Sequence, residues 1–198
     1  MQTLTYISTK DIKALTWPVT VESINLYSPS LSVFTDFKKA APRVIEPSIC
    51  ADELVRLMRK EHVRMKVVVD ASNAFVGIIS LADLSEEAFI KQVAKGYSRS
   101  ELLVADLMRP KEGLLALSYS SLKNADIKSL LYSQRTNELQ HLLVIDENSN
   151  TIRGLVSSSD VARQLKLDID VTFSSFLNIY KITLLGQVHT ATSKLQVA

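Results

Sequence analysis

Apolar residues follow two different spacings in the middle of the chain. Between residues 49 and 58 they recur at the spacing of one buried helix face, whereas residues 63–69 and 75–79 form nearly continuous apolar runs, typical of strands covered on both sides. The predicted elements are a strand at 44–45, a helix at 49–58, strands at 63–69 and 75–79, and a helix at 80–93. This pattern predicts a β-α-β-β-α unit.

A second unit follows the first. Its predicted elements are a strand at 114–117, a helix at 126–134, a strand ending at 146, a further strand up to 157 and a helix after it. Both units close with the motif G-x-x-S-x-x-D, which contains Gly77, Ser80 and Asp83 in the first copy and Gly154, Ser157 and Asp160 in the second. Equivalent motif positions lie 77 residues apart, which indicates an internal repeat whose two halves pack as a pair.

The repeats divide the chain into five predicted segments. They are an N-terminal arm at 1–32, the first repeat at 33–96, a connector at 97–103, the second repeat at 104–166 and a C-terminal extension at 167–198. Alternating apolar residues at 165–171 predict a short strand near the start of the extension. Phe173, Phe176, Leu177 and Tyr180 lie at helical spacing and predict a terminal helix.

Composition and charge exclude several classes of partner. The chain has 198 residues, 46% of them hydrophobic, and its net charge of +2 is too small to favour nucleic acid or an anionic membrane. No apolar run reaches the roughly 18 residues of a membrane span, and charged residues interrupt the region where a secretory signal would lie. Cys50 is the single cysteine, so we expect no intramolecular disulfide and a cytoplasmic location.

Motifs for catalysis and metal binding are missing from the sequence. There is no nucleophile elbow, Walker loop, zinc spacing or glycine-rich dinucleotide fingerprint. His62, His141 and His189 are too scattered to suggest a metal site. We therefore expect a protein that is not an enzyme and requires no metal or other cofactor.

The repeated motif has two interpretations. In one, the serine caps the following helix and the aspartate completes a capping box, which needs no ligand. In the other, the hydroxyl and the free helix amides hold a phosphate while the carboxylate accepts from the paired hydroxyls of a ribose. The glycine three residues before the serine lets a ligand or a neighbouring backbone approach the strand. The two interpretations are compatible, because the serine can cap when no ligand is bound.

Three features occur together in this chain: Asp-Leu-Met-Arg-Pro at 106–110, Leu-Gln-His-Leu-Leu-Val-Ile-Asp at 139–146, and the two G-x-x-S-x-x-D motifs. With the order of elements, they resemble a tandem pair of cystathionine-β-synthase (CBS) domains, also called a Bateman module, over about residues 33–166. The resemblance implies an α/β (α+β) fold, in which two β-α-β-β-α repeats pack sheet to sheet with pseudo-two-fold symmetry. It also suggests a stand-alone module without an attached enzyme, channel or transporter domain.

Ligand binding follows from the same resemblance. CBS pairs bind adenosyl compounds such as AMP, ADP, ATP or S-adenosylmethionine in the clefts between their repeats. By position, Asp83 and Asp160 would hold ribose hydroxyls, while Ser80 and Ser157 would meet phosphate. We therefore expect a regulatory module that senses an adenosine-containing nucleotide.

Further residues are implied to line the ligand sites. Val44, Ile45 and Leu117, on the first strand of each repeat, would help to form adenine pockets. His141 begins a strand near the expected cleft, where it either contacts a phosphate or packs as a structural histidine. The resemblance also implies a homodimer formed through the outer helices of the repeats.

An interaction scaffold with vestigial nucleotide sites is the alternative function. Lys66 stands where the second repeat has Leu142 and the family usually has an apolar residue, a departure that sets the two clefts apart. A scaffold would dock an unidentified partner protein through the N-terminal arm and the C-terminal helix. Exposed side chains of Phe173, Phe176 and Tyr180 would favour it.

Overall fold

The computed structural model describes residues 6, 8–11, 13–16, 23–170 and 174–186. Its strands are β1 Phe34–Asp36, β2 Val44–Ile45, β3 Met65–Val69, β4 Phe75–Ser80, β5 Arg109–Pro110, β6 Ala116–Ser118, β7 His141–Asp146 and β8 Thr151–Ser157. Its helices are α1 Ala51–Lys60, α2 Glu86–Val93, α3 Val104–Leu107, α4 Tyr119–Lys123, α5 Ile127–Ser133, α6 Ser158–Gln164 and α7 Phe176–Leu184. Among these helices none is both long and apolar enough to cross a membrane.

The strands form two four-stranded sheets with related topology. One sheet has the order β2-β3-β4-β5 and the other the order β1-β8-β7-β6. In each, a parallel pair is followed by an antiparallel pair: β2 with β3 and β3 with β4, or β6 with β7 and β7 with β8. Three strands of each sheet therefore come from one β-α-β-β-α repeat, as predicted.

The fourth strand of each sheet comes from the beginning of the other predicted repeat. β1 lies within the predicted first repeat but pairs with β8 of the second sheet, with Asp36 opposite Gly154. β5 lies within the predicted second repeat but pairs with β4 of the first sheet, with Pro110 opposite Gly77. The repeats thus exchange their edge strands, a feature that the sequence pattern did not reveal.

Three apolar clusters show how the layers pack. One cluster lies between the first sheet and its helices, and another between the second sheet and its helices. The third joins the two sheets and includes Met65, Val67 and Ile78 from the first and Leu143 from the second. Because alternate residues of a strand face opposite sides, Val68 packs on the helices while its neighbours pack on the opposing sheet. The predicted sheet-to-sheet packing is confirmed.

Helix prediction was right for α1 and α5 and wrong for the start of the helix after the first motif. α1 buries Leu54 and Met58, and α5 lies within the predicted range. The helix predicted to open at Ser80 begins only at Glu86, because a turn intervenes and Ser85 provides the cap by accepting from the amide of Ala88 at 3.3 Å. The turn is stabilised because the amide and the hydroxyl of Ser80 both donate hydrogen bonds to the carboxylate of Asp83.

The C-terminal extension also differs in part from its prediction. No strand forms in the described residues 165–170, since α6 ends at Gln164 and Lys166 has a left-handed φ of 54°; residue 171 lies outside the described residues. The terminal helix is confirmed as α7, which packs on α5 with Phe176 fully buried and Tyr180 against Tyr132, ring centres 6.3 Å apart. Phe176 and Tyr180 therefore pack against other parts of the same chain. Phe173 lies outside the described residues. For Phe176 and Tyr180, the exposure that would favour a scaffold is not found.

Candidate functional site

The two motifs lie at neighbouring ends of the two sheets. Ser80 ends β4 beside Met65 of β3, and Ser157 ends β8 beside His141 of β7. Leu81, between Ser80 and Asp83 of the first motif, and Ser157 of the second motif line one cavity of about 510 Å³. We call this cavity, which both repeats line, the Asp160 cleft.

The first repeat forms one wall of the Asp160 cleft through the end of α1, the loop before β3 and the residue that follows β4. This wall contains the apolar side chains of Met58, Val63 and Leu81. It also contains basic residues, namely Arg59, His62 and Arg64. A ligand in the cleft would therefore meet an apolar surface and positive charge on the same side.

The second repeat contributes the opposite wall. Asp160 is the one carboxylate among the lining residues, and Arg163 follows it on α6. With Arg59 and Arg64, the lining of the cleft contains three guanidinium groups and one carboxylate, which favours an anionic ligand. Arg163 pairs with Asp160 and donates from Nε to the carbonyl of Ser159 at 3.3 Å.

Asp160 keeps an accessible carboxylate. Its side chain is 36% exposed, and its ion-pair partner Arg163 is 64% exposed and three residues ahead on the same helix. Ion pairs exposed to this extent contribute little to stability. A ligand hydroxyl can therefore reach Asp160 without breaking a strong interaction.

Ser157 and Ser159 place two hydroxyl groups in the cleft beside Asp160. Their Oγ atoms are 2.7 Å apart and hydrogen-bonded to each other. Ser157 occupies the position before α6 but makes no capping hydrogen bond, so the capping interpretation does not apply to the second motif. Both hydroxyls retain acceptor capacity for a ligand donor.

In the first motif, by contrast, the serine and the aspartate are hydrogen-bonded to each other. Oδ2 of Asp83 accepts from the amide of Ser80 at 2.8 Å and from its hydroxyl at 2.6 Å. Asp83 also pairs with Nε of Arg109 at 3.3 Å. Its remaining surface lines a groove outside the Asp160 cleft, next to Ser85 and Lys91 of the α2 region. The structure therefore brings Ser157 and Asp160 into the shared cleft but not Ser80 and Asp83.

The motif glycines accommodate a neighbouring backbone. A Cβ atom on Gly77 would collide with the carbonyl oxygen of Arg109 in β5, and one on Gly154 with the carbonyl oxygen of Thr35 in β1. Of the two roles expected for these glycines, the close approach of a neighbouring strand is the one observed.

The predicted adenine-pocket residues lie away from the Asp160 cleft. Val44 lines a separate cavity of about 660 Å³, which also contains Val69 and Asn73 near the opposite ends of the strands. Ile45 packs on the core of the first repeat and Leu117 on that of the second. Neither Ile45 nor Leu117 lines the Asp160 cleft, because its side chain lies on the helical side of its sheet. A role of these two residues in holding an adenine base stays a prediction.

His141 is buried and lines a third cavity. This cavity, of about 380 Å³, also contains Arg109 and Leu115. Burial, together with the positive charges of Arg109 and Arg64, lowers the pKa of His141 to about 4, so its imidazole is neutral at pH 7. Its Nδ1 has no hydrogen-bond partner among the described residues. A neutral imidazole outside the Asp160 cleft does not supply positive charge to a phosphate there.

Sequence reasoning missed the basic wall of the cleft. The sequence pattern does not identify Arg59 or Arg64 as site residues, and it raises His62 only as a metal ligand. Alignment of the two repeats could have indicated this basic wall. His62 and Arg64 correspond to Glu138 and Gln140, so only the first repeat has a basic loop before its central strand. Among the described residues, no group of three His, Cys, Asp or Glu side chains is placed to hold a metal ion.

Comparison with known proteins agrees with this architecture. Residues 43–89 match the family model of the CBS domain. An uncharacterized conserved protein from Pyrococcus horikoshii superposes with a TM-score of 0.54 at 19% identity, covering 74% of this chain and 98% of its own. A CBS-domain containing protein from Agrobacterium tumefaciens superposes with a TM-score of 0.51 at 19% identity, covering 71% and 98%. No curated protein sequence matches the chain.

Proposed function

We propose that this chain is a regulatory module built from a pair of CBS domains, and that it binds an adenosine-containing nucleotide in the Asp160 cleft. The ligand would be AMP, ADP, ATP or S-adenosylmethionine, and the module would have no catalytic activity of its own. The observation that carries this proposal is one cavity in which an accessible carboxylate from one repeat faces a basic and apolar wall from the other.

The cleft contains a suitable partner for each part of a nucleotide. Asp160, which lines the cleft with an accessible carboxylate, would accept hydrogen bonds from the two ribose hydroxyls. Arg59 and Arg64 would hold phosphate oxygens by charge-assisted hydrogen bonds, and Met58 and Val63 offer apolar surface to the base. A volume of about 510 Å³ lies within the usual range for small-molecule sites.

Binding would have a regulatory effect because both repeats contact the same ligand. A ligand shifts a conformational equilibrium only when it binds one arrangement more tightly than another. The basic wall belongs to the first repeat and Asp160 to the second, so any change in their separation would alter affinity. The nucleotide would therefore favour one packing of the repeats over others.

Calorimetric titration with AMP, ATP and S-adenosylmethionine tests this proposal. We expect Asp160→Asn to weaken binding by about tenfold or more, since a charged acceptor for the ribose is lost. Asp168→Asn is a matched control, because Asp168 is an exposed acid at the start of the C-terminal extension that does not line the cleft. Absence of heat and of thermal stabilisation with all three compounds at millimolar concentration would contradict the proposal.

A second titration separates the phosphate contacts from those of the nucleoside. Arg64→Met should weaken AMP binding by about tenfold but leave the affinity for adenosine nearly unchanged, because only AMP carries the phosphate. Equal losses for AMP and adenosine would show that Arg64 supports the cleft without contacting phosphate.

Dimerisation is a further part of the proposal. Ile90 and Val93 lie three residues apart on α2 and are 64% and 46% exposed. An exposed apolar helix face of this kind would be buried by a second copy of the chain. Light scattering should give a two-chain mass for the wild type and a one-chain mass for Ile90→Lys; a one-chain mass for both would rule out the dimer.

A further inference from the structure

Equivalent positions on the exchanged edge strands hold different residues. Ile78 and Leu155 each follow a motif glycine by one position, and they pair with Arg109 of β5 and Thr35 of β1, respectively. Arg109 and Thr35 therefore occupy the same place relative to the two motifs. One is a long cation and the other a short hydroxyl side chain.

Arg109 reaches the motif carboxylate beside it. Its Nε lies 3.3 Å from Asp83 in an ion pair whose side chains are 34% and 18% exposed. The amide and hydroxyl of Ser80 donate to the same carboxylate, so Asp83 has three donors from within the chain. At the equivalent site, Thr35 is not bonded to Asp160, whose partner is Arg163 on its own helix.

Arg109 also contacts the cavity next to the first motif. Together with Leu139 it lines the cavity of about 380 Å³, and Asp83 does not line that cavity. Leu139 is the counterpart of Val63, which lines the Asp160 cleft. The smaller cavity thus lies where a second ligand would be expected, but its motif carboxylate is paired with a guanidinium.

We infer that Arg109 is an internal competitor for the ribose at the first motif, and that it limits the chain to one nucleotide, bound at Asp160. This inference rests on the proposed function. A ribose can use Asp83 only by displacing a partly buried guanidinium, which would then lose its charged partner. Thr35 presents no such competitor to Asp160, so the second motif stays available.

The exchange of these two residues tests the inference, with AMP as the probe and calorimetry as the measure of stoichiometry. The wild type should bind one AMP per chain and Arg109→Thr two. The double variant Arg109→Thr with Asp83→Asn should return to one. Ser80 still donates twice to Asp83 when Arg109 is replaced, so the carboxylate keeps its position. Arg135→Thr, at an exposed arginine outside these cavities, is the matched control and should bind one AMP.

The reciprocal change is an independent measurement. Thr35→Arg should weaken AMP binding at Asp160 by about tenfold, because it introduces the same competitor at the second motif. Circular dichroism of each variant establishes that it is folded. If Thr35→Arg does not fold, the stoichiometry of Arg109→Thr decides the question.

The outcomes separate this inference from the proposed function. One AMP per chain for both the wild type and Arg109→Thr would overturn the inference alone, as would two AMP for the wild type. If the wild type binds none of AMP, ATP and S-adenosylmethionine, the proposed function fails. In that case, uptake of one AMP by Arg109→Thr that Asp83→Asn abolishes would still support the inference, and no uptake would overturn it.

Discussion

The two copies of G-x-x-S-x-x-D have the same sequence spacing but different surroundings. Asp83 is bound by Ser80 and Arg109, whereas Asp160 faces a cleft with a basic opposite wall. The repeats also differ in the loop before the central strand, where His62 corresponds to Glu138. The accessibility of each motif copy therefore depends on the residues that the rest of the chain places beside it.

The C-terminal extension adds to this asymmetry. The amides of Phe176 and Leu177 donate to the carbonyls of Leu139 and Asn137 at 3.0 and 3.1 Å, which attaches the extension to the loop before β7. The hydroxyl of Ser158 donates to a carbonyl of the same extension at 2.7 Å. The loop of the second repeat is therefore partly covered, while the loop of the first repeat lines the Asp160 cleft.

Exchanging the residues at one equivalent core position should have the largest effect on stability. Lys66 is 4% exposed and forms an ion pair with Glu61 at 2.8 Å; Leu142 is also 4% exposed, and Asn137 replaces the glutamate. Leu142→Lys buries an unpaired charge, so the free energy of unfolding should fall by about 4 kcal/mol. Lys66→Leu should leave it unchanged or raise it. Urea unfolding measures both, and similar losses would contradict the distinction.

The pH dependence of stability should separate His141 from its counterpart, Met65. Because the pKa of His141 is about 4 in the folded chain and 6.5 ordinarily, the unfolded chain takes up the proton first as the pH falls. The contribution of neutral His141 to the free energy of unfolding is therefore complete above pH 6.5, and it declines by up to about 3 kcal/mol on approaching pH 4. Urea unfolding of the wild type and His141→Met should show this decline in the wild type alone; parallel profiles would refute it.

Adding a methyl group to the motif glycines should test the strand exchange. Alanine at either glycine collides with the carbonyl of the exchanged strand, and at Gly154 the methyl also meets the ring of Phe34 at 2.6 Å. We expect losses of about 2 kcal/mol for Gly154→Ala and about 1 kcal/mol for Gly77→Ala. Gly113→Ala is the control, since no atom lies within 4 Å of the added carbon. A loss for the control as large as the others would remove this explanation.

The smallest effect concerns the charged residues that hold β1 to the second sheet. Arg153 binds Asp36 and Asp146, each at 3.1 Å, whereas its counterpart in the first repeat is Val76. The hydrogen bond from Arg153 lowers the pKa of Asp36 below its usual 3.8. Burial raises the pKa of Asp146, but the hydrogen bonds from Arg153 and from the amide of Asn148, together with Lys38, lower it below 3.8 overall.

This stabilisation is present above pH 3.8 and is lost as the pH falls through the lowered values. Arg153→Met should therefore reduce the thermal unfolding midpoint at pH 7 and flatten its decline below about pH 4. An unchanged acid profile would show that Arg153 does not control these carboxylates.

The sequence by itself determined the repeat and most of its elements. Duplicated spacing reveals the pairing of the halves, and the periodicity of α1 and the apolar runs of β3 and β4 are local signals, because burial of one helix face or of both strand faces selects residue types directly. The turn at Ser80 was missed because a serine followed by an aspartate has the same pattern whether it opens a helix or closes a turn.

Only the tertiary structure decided which motif is accessible. β1 and β5 have three and two residues, too few for a pattern that identifies the sheet they join, so the positions of Thr35 and Arg109 beside the motifs were not predictable. The same applies to Ile45 and Leu117, because a shift of one residue in a short strand reverses the face of each side chain. The chemistry of each motif depends on contacts between residues far apart in sequence, and those contacts exist only once the sheets have packed.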